Sequence, residues 1–198
     1  MAEAFLNAAE RRDRDFGRQV AKLPVLAWLA GSLRPLDLAS MKWDRARPRL
    51  LVIACSDGRL QEATDEFLNL ELGVTHYDRL YVPGGAGALS PSGRDFLRAH
   101  QVRQECKYLV QLHGVERVIA LFHGPAVNGP EEALCADYRR KFPWARKAEL
   151  RSQQEQDARE LLRYRHEWSE RAAVSVYRCE IGELSEINFV QLHIDALA

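Results

Sequence analysis

The sequence has few cysteines, no excess of either charge and no long apolar run. Its four cysteines are too few for a disulfide framework in a chain of 198 residues. Lysine plus arginine and aspartate plus glutamate both number 28, and the interspersed charges leave no cationic face for nucleic acid. No segment reaches the ~20 apolar residues of a membrane-spanning helix, and the amino terminus lacks the apolar core of a secretory signal. We therefore expect a cytoplasmic protein with reduced thiols that binds neither nucleic acid nor membranes.

The sequence does contain an alternation of apolar strands and helices. Five segments have the pattern of strands: 49–54, 78–83, 116–122, 173–179 and 184–190. Helical signals mark three more: 60–72, 92–113 and 148–171. The first strand is apolar on consecutive positions, which is typical of a parallel sheet covered on both faces. This order predicts an α/β domain over residues 48–198, with about five strands of which the last is antiparallel, and helices on both faces. Residues 1–47 are predicted to form an N-terminal helical arm.

Reactive side chains follow two of the predicted strands. Cys55, Asp57 and Arg59 come at and just after the end of the first strand, and His123 ends the third. Ligands of open α/β sheets bind beyond the carboxyl ends of the strands. We therefore expect Cys55 and His123 to meet at one site.

These residues resemble the motifs of the β-class carbonic anhydrases. Cys55, Asp57 and Arg59 match the first family motif, C-x-D-x-R, and His123 matches the start of the second, H-x-x-C. In that family two cysteines and the histidine bind zinc, and the aspartate and arginine form a dyad beside the metal-bound water. The likeness covers roughly residues 48–190, including a terminal hairpin. It implies a zinc-dependent lyase that hydrates CO2 to bicarbonate and assembles as a homodimer or a higher homo-oligomer.

The chain departs from the family pattern at the second zinc thiolate. Ala126 stands three residues after His123, where the family has cysteine, and Gly84 and Gly85 replace an Arg-Asn pair in the middle loop. Two protein ligands are too few for tight zinc binding.

Two residues are candidates for the third ligand. Asp57 is one, and by ligating zinc it gives up its ion pair with Arg59. Cys135 is the other. A helix that begins near Pro130 would place Cys135 more than a turn inside it, about 7 Å along the axis. We therefore expect Cys135 to be a core or surface residue, since a free cysteine commonly packs as a small hydrophobe.

The sequence leaves three functions open. The first is a carbonic-anhydrase-like protein with a degenerate zinc site, poor or no CO2 hydration, and a pocket that is structural or binds a small anion. The second is an active enzyme, in which Cys55, His123 and Asp57 surround zinc and Asp57 and Arg59 form the catalytic pair. The third is a cysteine nucleophile, with Cys55 activated by His123. We favour the first because of the missing sulfur ligand.

Overall fold

The structure, a computed structural model, describes residues 45–93, 96–168 and 171–192. It contains one five-stranded sheet with the order β2-β1-β3-β4-β5. The strands are β1 Leu50–Cys55, β2 Asp78–Val82, β3 Arg117–Pro125, β4 Ala173–Ile181 and β5 Ile187–Gln191. The first four run parallel and β5 is antiparallel to β4, which confirms the predicted sheet. Of the predicted N-terminal helical arm, residues 1–47, all but residues 45–47 lie outside the described residues.

Four α-helices accompany the sheet in the described part of the chain. They are α1 Gln61–Glu66, α2 Phe96–His113, α3 Ala136–Lys141 and α4 Lys147–Tyr164. A π-helical turn, Phe67–Glu71, extends α1 and completes the helical region predicted at 60–72. The prediction that one helix runs from 148 to 171 is wrong at its end, because α4 stops at Tyr164 and a 3-10 turn follows. None of these helices has the length and apolar character that crossing a membrane requires.

The unbroken apolar run of β1 is explained by a core on each side of the sheet. Leu51 and Ile53 pack in one apolar cluster with α2 and α4, whereas Val52 belongs to a second cluster with Phe67 and Leu68, from the π-helical turn after α1. Burying an aliphatic side chain of this size contributes roughly 1.5–3 kcal/mol. A strand buried on both faces therefore needs apolar residues at every position, not only at alternate ones.

The order of the strands places a crevice at the end of β1. The chain passes from β1 to β2 on one side and then crosses back to β3 on the other. In open α/β sheets a ligand site forms at such a reversal, outside the carboxyl ends of the strands. Ile53 is level with Ala120 in the register between β1 and β3, so Cys55 and His123 reach the same edge of the sheet.

Candidate metal centre

Three candidate metal ligands converge at this edge. Cys55 is the last residue of β1, His123 lies near the end of β3, and Cys135 immediately precedes α3. One ligand atom from each residue lies within 4.8 Å of the other two. Within residues 45–93, 96–168 and 171–192, no other group of three or more His, Cys, Asp or Glu residues is placed to hold a metal ion.

The surroundings of His123 fit a metal ligand. Its side chain is buried, with 4% of its surface exposed, and its Nε2 atom has no hydrogen-bond partner among the described residues. A buried polar atom left unpaired costs about 1–3 kcal/mol, a cost that a bond to a metal removes. Two thiolates and one imidazole form a donor set that zinc prefers, and three protein ligands leave the fourth tetrahedral position open.

The contact between Cys55 and Cys135 shifts the pKa values of their thiols in opposite directions. A hydrogen bond from the Cys135 side chain, together with the neighbouring His123 imidazole, holds the pKa of Cys55 well below its usual range. The Gly84 amide, 3.3 Å from Cys55 Sγ, adds to this effect. The hydrogen bond to Cys55 and burial raise the pKa of Cys135. The contact between the two sulfurs thus favours the ionisation of only one of them, and a cation bound between them would favour the ionisation of both.

Cys135 reaches the site because the chain before it is not an α-helix. Pro130 is extended at φ −71° and ψ 147°, and only a short 3-10 turn, Glu131–Ala133, follows it. Leu134 and Cys135 return to extended ψ values of 134° and 122° before α3 begins. The prediction that a helix from Pro130 carries Cys135 away from the site is therefore wrong. Proline and early acidic residues favour the start of a helical turn but do not set its length.

No local pattern in the sequence identifies Cys135 as a candidate ligand. Its neighbours, Leu134 and Ala136, are apolar, and the eleven residues between His123 and Cys135 match no common zinc spacing. The sequence offers only indirect evidence that Cys135 is a ligand. The resemblance lacked one sulfur, and Cys135 is the next cysteine after His123.

Asp57 is held by Arg59 in a bidentate ion pair. Arg59 Nε donates to Asp57 Oδ1 at 3.0 Å, and Arg59 Nη2 donates to Asp57 Oδ2 at 2.6 Å. The carboxylate also accepts the Arg59 backbone amide and so caps the 3-10 turn Gly58–Leu60. Hydrogen bonding from Arg59 lowers the pKa of Asp57 to about 2. The cluster that could hold a metal, Cys55, His123 and Cys135, does not include Asp57.

A cavity of about 250 Å³ is lined by the ion pair and by one member of the cluster, His123. Its polar lining consists of Asp57, Arg59, His123, Glu132 and Ser185. Most of the remaining wall is apolar and consists of Leu60, Pro130, Ala133, Ile181 and Ile187. Since a water molecule in the liquid takes up about 30 Å³, the cavity has room for several waters or a small substrate.

The loop after β2 lies directly against the ends of the central strands. Gly85 has φ +54°, and a Cβ there would be 2.6 Å from the carbonyl oxygen of Leu121 and 2.7 Å from the amide nitrogen of Cys55. Gly84 has φ +92°, and its Cβ would be 2.3 Å from Asp137 Oδ2. Both positions therefore require glycine. The family's larger Arg-Asn pair would not fit this loop as it is folded here.

The chain is similar to solved structures but matches no family model and no curated protein. Among solved structures, a β-carbonic anhydrase of Aspergillus fumigatus aligns at 16% identity and a TM-score of 0.42, covering 98% of this chain and 92% of that one. Tetrameric β-carbonic anhydrases of Sordaria macrospora align at 17% identity and a TM-score of 0.39, covering 97% and 98%. The apo form of a carbon disulfide hydrolase aligns at 12% identity and a TM-score of 0.40, covering 94% and 90%.

Proposed function

We propose that the chain binds one zinc ion through Cys55, His123 and Cys135 and catalyses the reversible hydration of CO2. The observation that carries the proposal is the convergence of the three ligand atoms within 4.8 Å of one another. The expectation of a degenerate site depended on the absence of a second sulfur, and Cys135 supplies one from a different part of the chain than Ala126. The proposed ligand set differs from Cys55, His123 and Asp57 only in its third member.

The proposal assigns separate tasks to the metal and to Asp57. When bound, zinc supplies a Lewis acid that lowers the pKa of a coordinated water to about 7. Asp57 is ionised at neutral pH, and Arg59 stabilises the carboxylate further by lowering its pKa to about 2. Its carboxylate accepts a hydrogen bond from the reacting water and so orients it. Arg59 holds Asp57 away from the metal through the two hydrogen bonds between them.

The cavity suits a small apolar substrate on one side and an anionic product on the other. Leu60, Ile181 and Ile187 provide an apolar wall for CO2. The guanidinium of Arg59 offers positive charge near bicarbonate, since the side chain is 66% exposed. Another small linear electrophile meets the same requirements, and its hydration belongs to the same proposal.

Zinc content tests this proposal most simply. The purified wild type is expected to hold one zinc ion per chain and to hydrate CO2 in a stopped-flow assay with a pH indicator. Cys135→Ser, Cys55→Ser and His123→Ala are expected to lose most of the zinc and the activity. Cys106→Ser is the matched control, because Cys106 is equally buried but lies in the core packed by α2.

Two outcomes would favour the other functions. A wild type that stays free of zinc after growth in zinc would favour a structural or anion-binding pocket. An activity that survives metal removal but is lost on thiol alkylation would favour Cys55 as a nucleophile.

We also propose, from the family resemblance, that the chain forms a homodimer or a higher homo-oligomer and acts in the cytoplasm. Light scattering of the purified protein measures the assembly. A monomer at micromolar concentration would contradict it.

A further inference from the structure

A buried carboxylate outside the metal cluster links the segments that carry the ligands. Asp157 lies on α4 with only 1% of its surface exposed. Its Oδ2 accepts the hydroxyls of Tyr138 at 2.6 Å and Ser92 at 2.8 Å. Its Oδ1 accepts the Ser90 hydroxyl at 2.9 Å and the Gln153 amide at 2.8 Å. Three of these four donors come from outside α4.

Ser90 and Ser92 end the loop that begins beside Cys55. Near the start of this loop, Gly84 donates its amide to Cys55 Sγ at 3.3 Å. The buried side chain of Lys141, from α3, donates to the Ser90 carbonyl at 3.3 Å and to the Gly87 carbonyl at 2.7 Å. The loop is therefore hydrogen-bonded both to α4 and to α3, the helix that follows Cys135.

Tyr138 connects the same carboxylate to the ligand Cys135. It lies on the first turn of α3, three residues after Cys135, and only 1% of it is exposed. Its ring lies so close to Gly87 that a Cβ there would be 2.4 Å from a ring carbon. The ring centroid is also 6.4 Å from that of Phe122, the residue before His123. Tyr138 thus contacts the loop beside Cys55 and packs near β3, the strand that carries His123.

The energetics of burial make this arrangement cooperative. A buried carboxylate is costly unless hydrogen bonds replace the water it has lost. Asp157 receives all of these hydrogen bonds only when two segments are in their native positions. One is the loop with Ser90 and Ser92, and the other is the helix with Tyr138. A fully satisfied network of this kind restricts its members to one arrangement. Displacing Cys135 with its helix would leave Asp157 short of a donor.

We propose that Asp157 and Tyr138 are positioning residues for the metal centre, holding Cys135 and the loop beside Cys55 at bonding distance from one ion. The inference rests on the proposed zinc site. It extends that site to two residues that do not touch the metal and that the C-x-D-x-R and H-x-x-C motifs do not contain. Groups that hydrogen-bond a metal ligand directly typically change affinity about 10–100-fold when they are mutated, and Tyr138 and Asp157, which act through the position of α3 and the loop, belong at the lower end of that range.

The experiment compares two tyrosine variants. Tyr138→Phe removes the hydroxyl on Asp157 and keeps the ring that contacts Gly87. Tyr77→Phe is the matched control, because Tyr77 donates to Asp65 Oδ1 at the same distance of 2.6 Å but precedes β2, at the opposite edge of the sheet. Asp157→Asn is the stronger second variant. Each protein is measured for zinc affinity by chelator competition, for the thiolate-to-metal charge-transfer absorbance of its cobalt form, and for Tm.

We expect Tyr138→Phe to bind zinc about 10-fold more weakly, and to lose part of the charge-transfer absorbance because Cys135 is held less firmly. Asp157→Asn should lose more of both. Tyr77→Phe should keep the wild-type values of both, even where its Tm falls as much as that of Tyr138→Phe.

Wild-type affinity and absorbance in Tyr138→Phe would overturn the inference while leaving the zinc site intact. Equal losses of zinc affinity in Tyr138→Phe and Tyr77→Phe would also overturn it, since they would reflect stability alone. A wild type that binds no zinc would instead remove the proposed function, and the inference with it. If Asp157→Asn fails to fold, the zinc affinity and absorbance of Tyr138→Phe still test the inference.

Discussion

Replacing Gly84 by alanine tests how closely the loop after β2 is fitted to the metal site. Gly84 has φ +92°, and its new Cβ would lie 2.3 Å from Asp137 Oδ2. An L-residue in the left-handed region costs about 1–2 kcal/mol. Overpacking a buried site costs a further 1–3 kcal/mol or so, and Asp137 resists displacement because Arg98 and Arg140 both bind its Oδ1. The sum is a loss of about 2–5 kcal/mol in the free energy of unfolding.

The assay is thermal unfolding of the metal-free protein. For a chain of this size 1 kcal/mol lowers Tm by roughly 2–4 °C, so Gly84→Ala should lower it by about 4–20 °C. Gly114→Ala separates the two causes, because Gly114 also has a positive φ, +64°, but a Cβ added there would meet nothing within 4 Å among the described residues beyond its chain neighbours. It should lose only about 1–2 kcal/mol. Equal shifts in the two variants would refute the claim that Asp137 and the loop are closely packed.

Three further predictions concern the proposed site. Asp57→Asn should keep its zinc, because Asp57 is outside the cluster, yet hydrate CO2 about 100-fold more slowly by stopped flow; loss of zinc would instead make Asp57 a ligand. Because Arg59 lowers the pKa of Asp57 from 3.8 to about 2, their pair stabilises the fold above pH 4 and stops doing so as the pH falls towards 2. The exposure of Arg59 limits this contribution to at most about 1 kcal/mol. Urea unfolding should therefore show a slightly shallower loss of stability between pH 5 and 2.5 in Arg59→Gln than in the wild type, and identical pH profiles would contradict the pairing. Finally, zinc at 100 times its dissociation constant should stabilise the wild type by about 2.7 kcal/mol, raising Tm by roughly 5–11 °C, and should leave His123→Ala unchanged.

Most of the sheet could be predicted because its strands carry local signals. The run at 49–54 is apolar on both faces, and the structure buries Leu51 and Val52 in different clusters. The segments predicted at 173–179 and 184–190 likewise form β4 and β5. These patterns can be read locally, because the burial of each face of a strand determines which of that strand's own residues are apolar.

The third candidate ligand could not be predicted because its position depends on distant contacts. Cys135 faces His123 only because Leu134 is extended after a three-residue turn, and nothing in the residues around it requires that. Tyr138 and Asp157 hold the same segment from α3 and α4 through a hydrogen bond between residues nineteen positions apart. The sequence therefore identified two of the three members of the cluster, Cys55 and His123, and only the tertiary packing revealed the third, Cys135.

X-ray absorption at the zinc edge tests the central claim most directly, since it counts the ligand atoms around the metal. The account predicts two sulfur neighbours at about 2.3 Å and an imidazole nitrogen at about 2.0 Å. In Cys135→Ser, any residual zinc should show one sulfur neighbour. A wild-type spectrum with a single sulfur, or one that is unchanged by Cys135→Ser, would contradict the proposed centre.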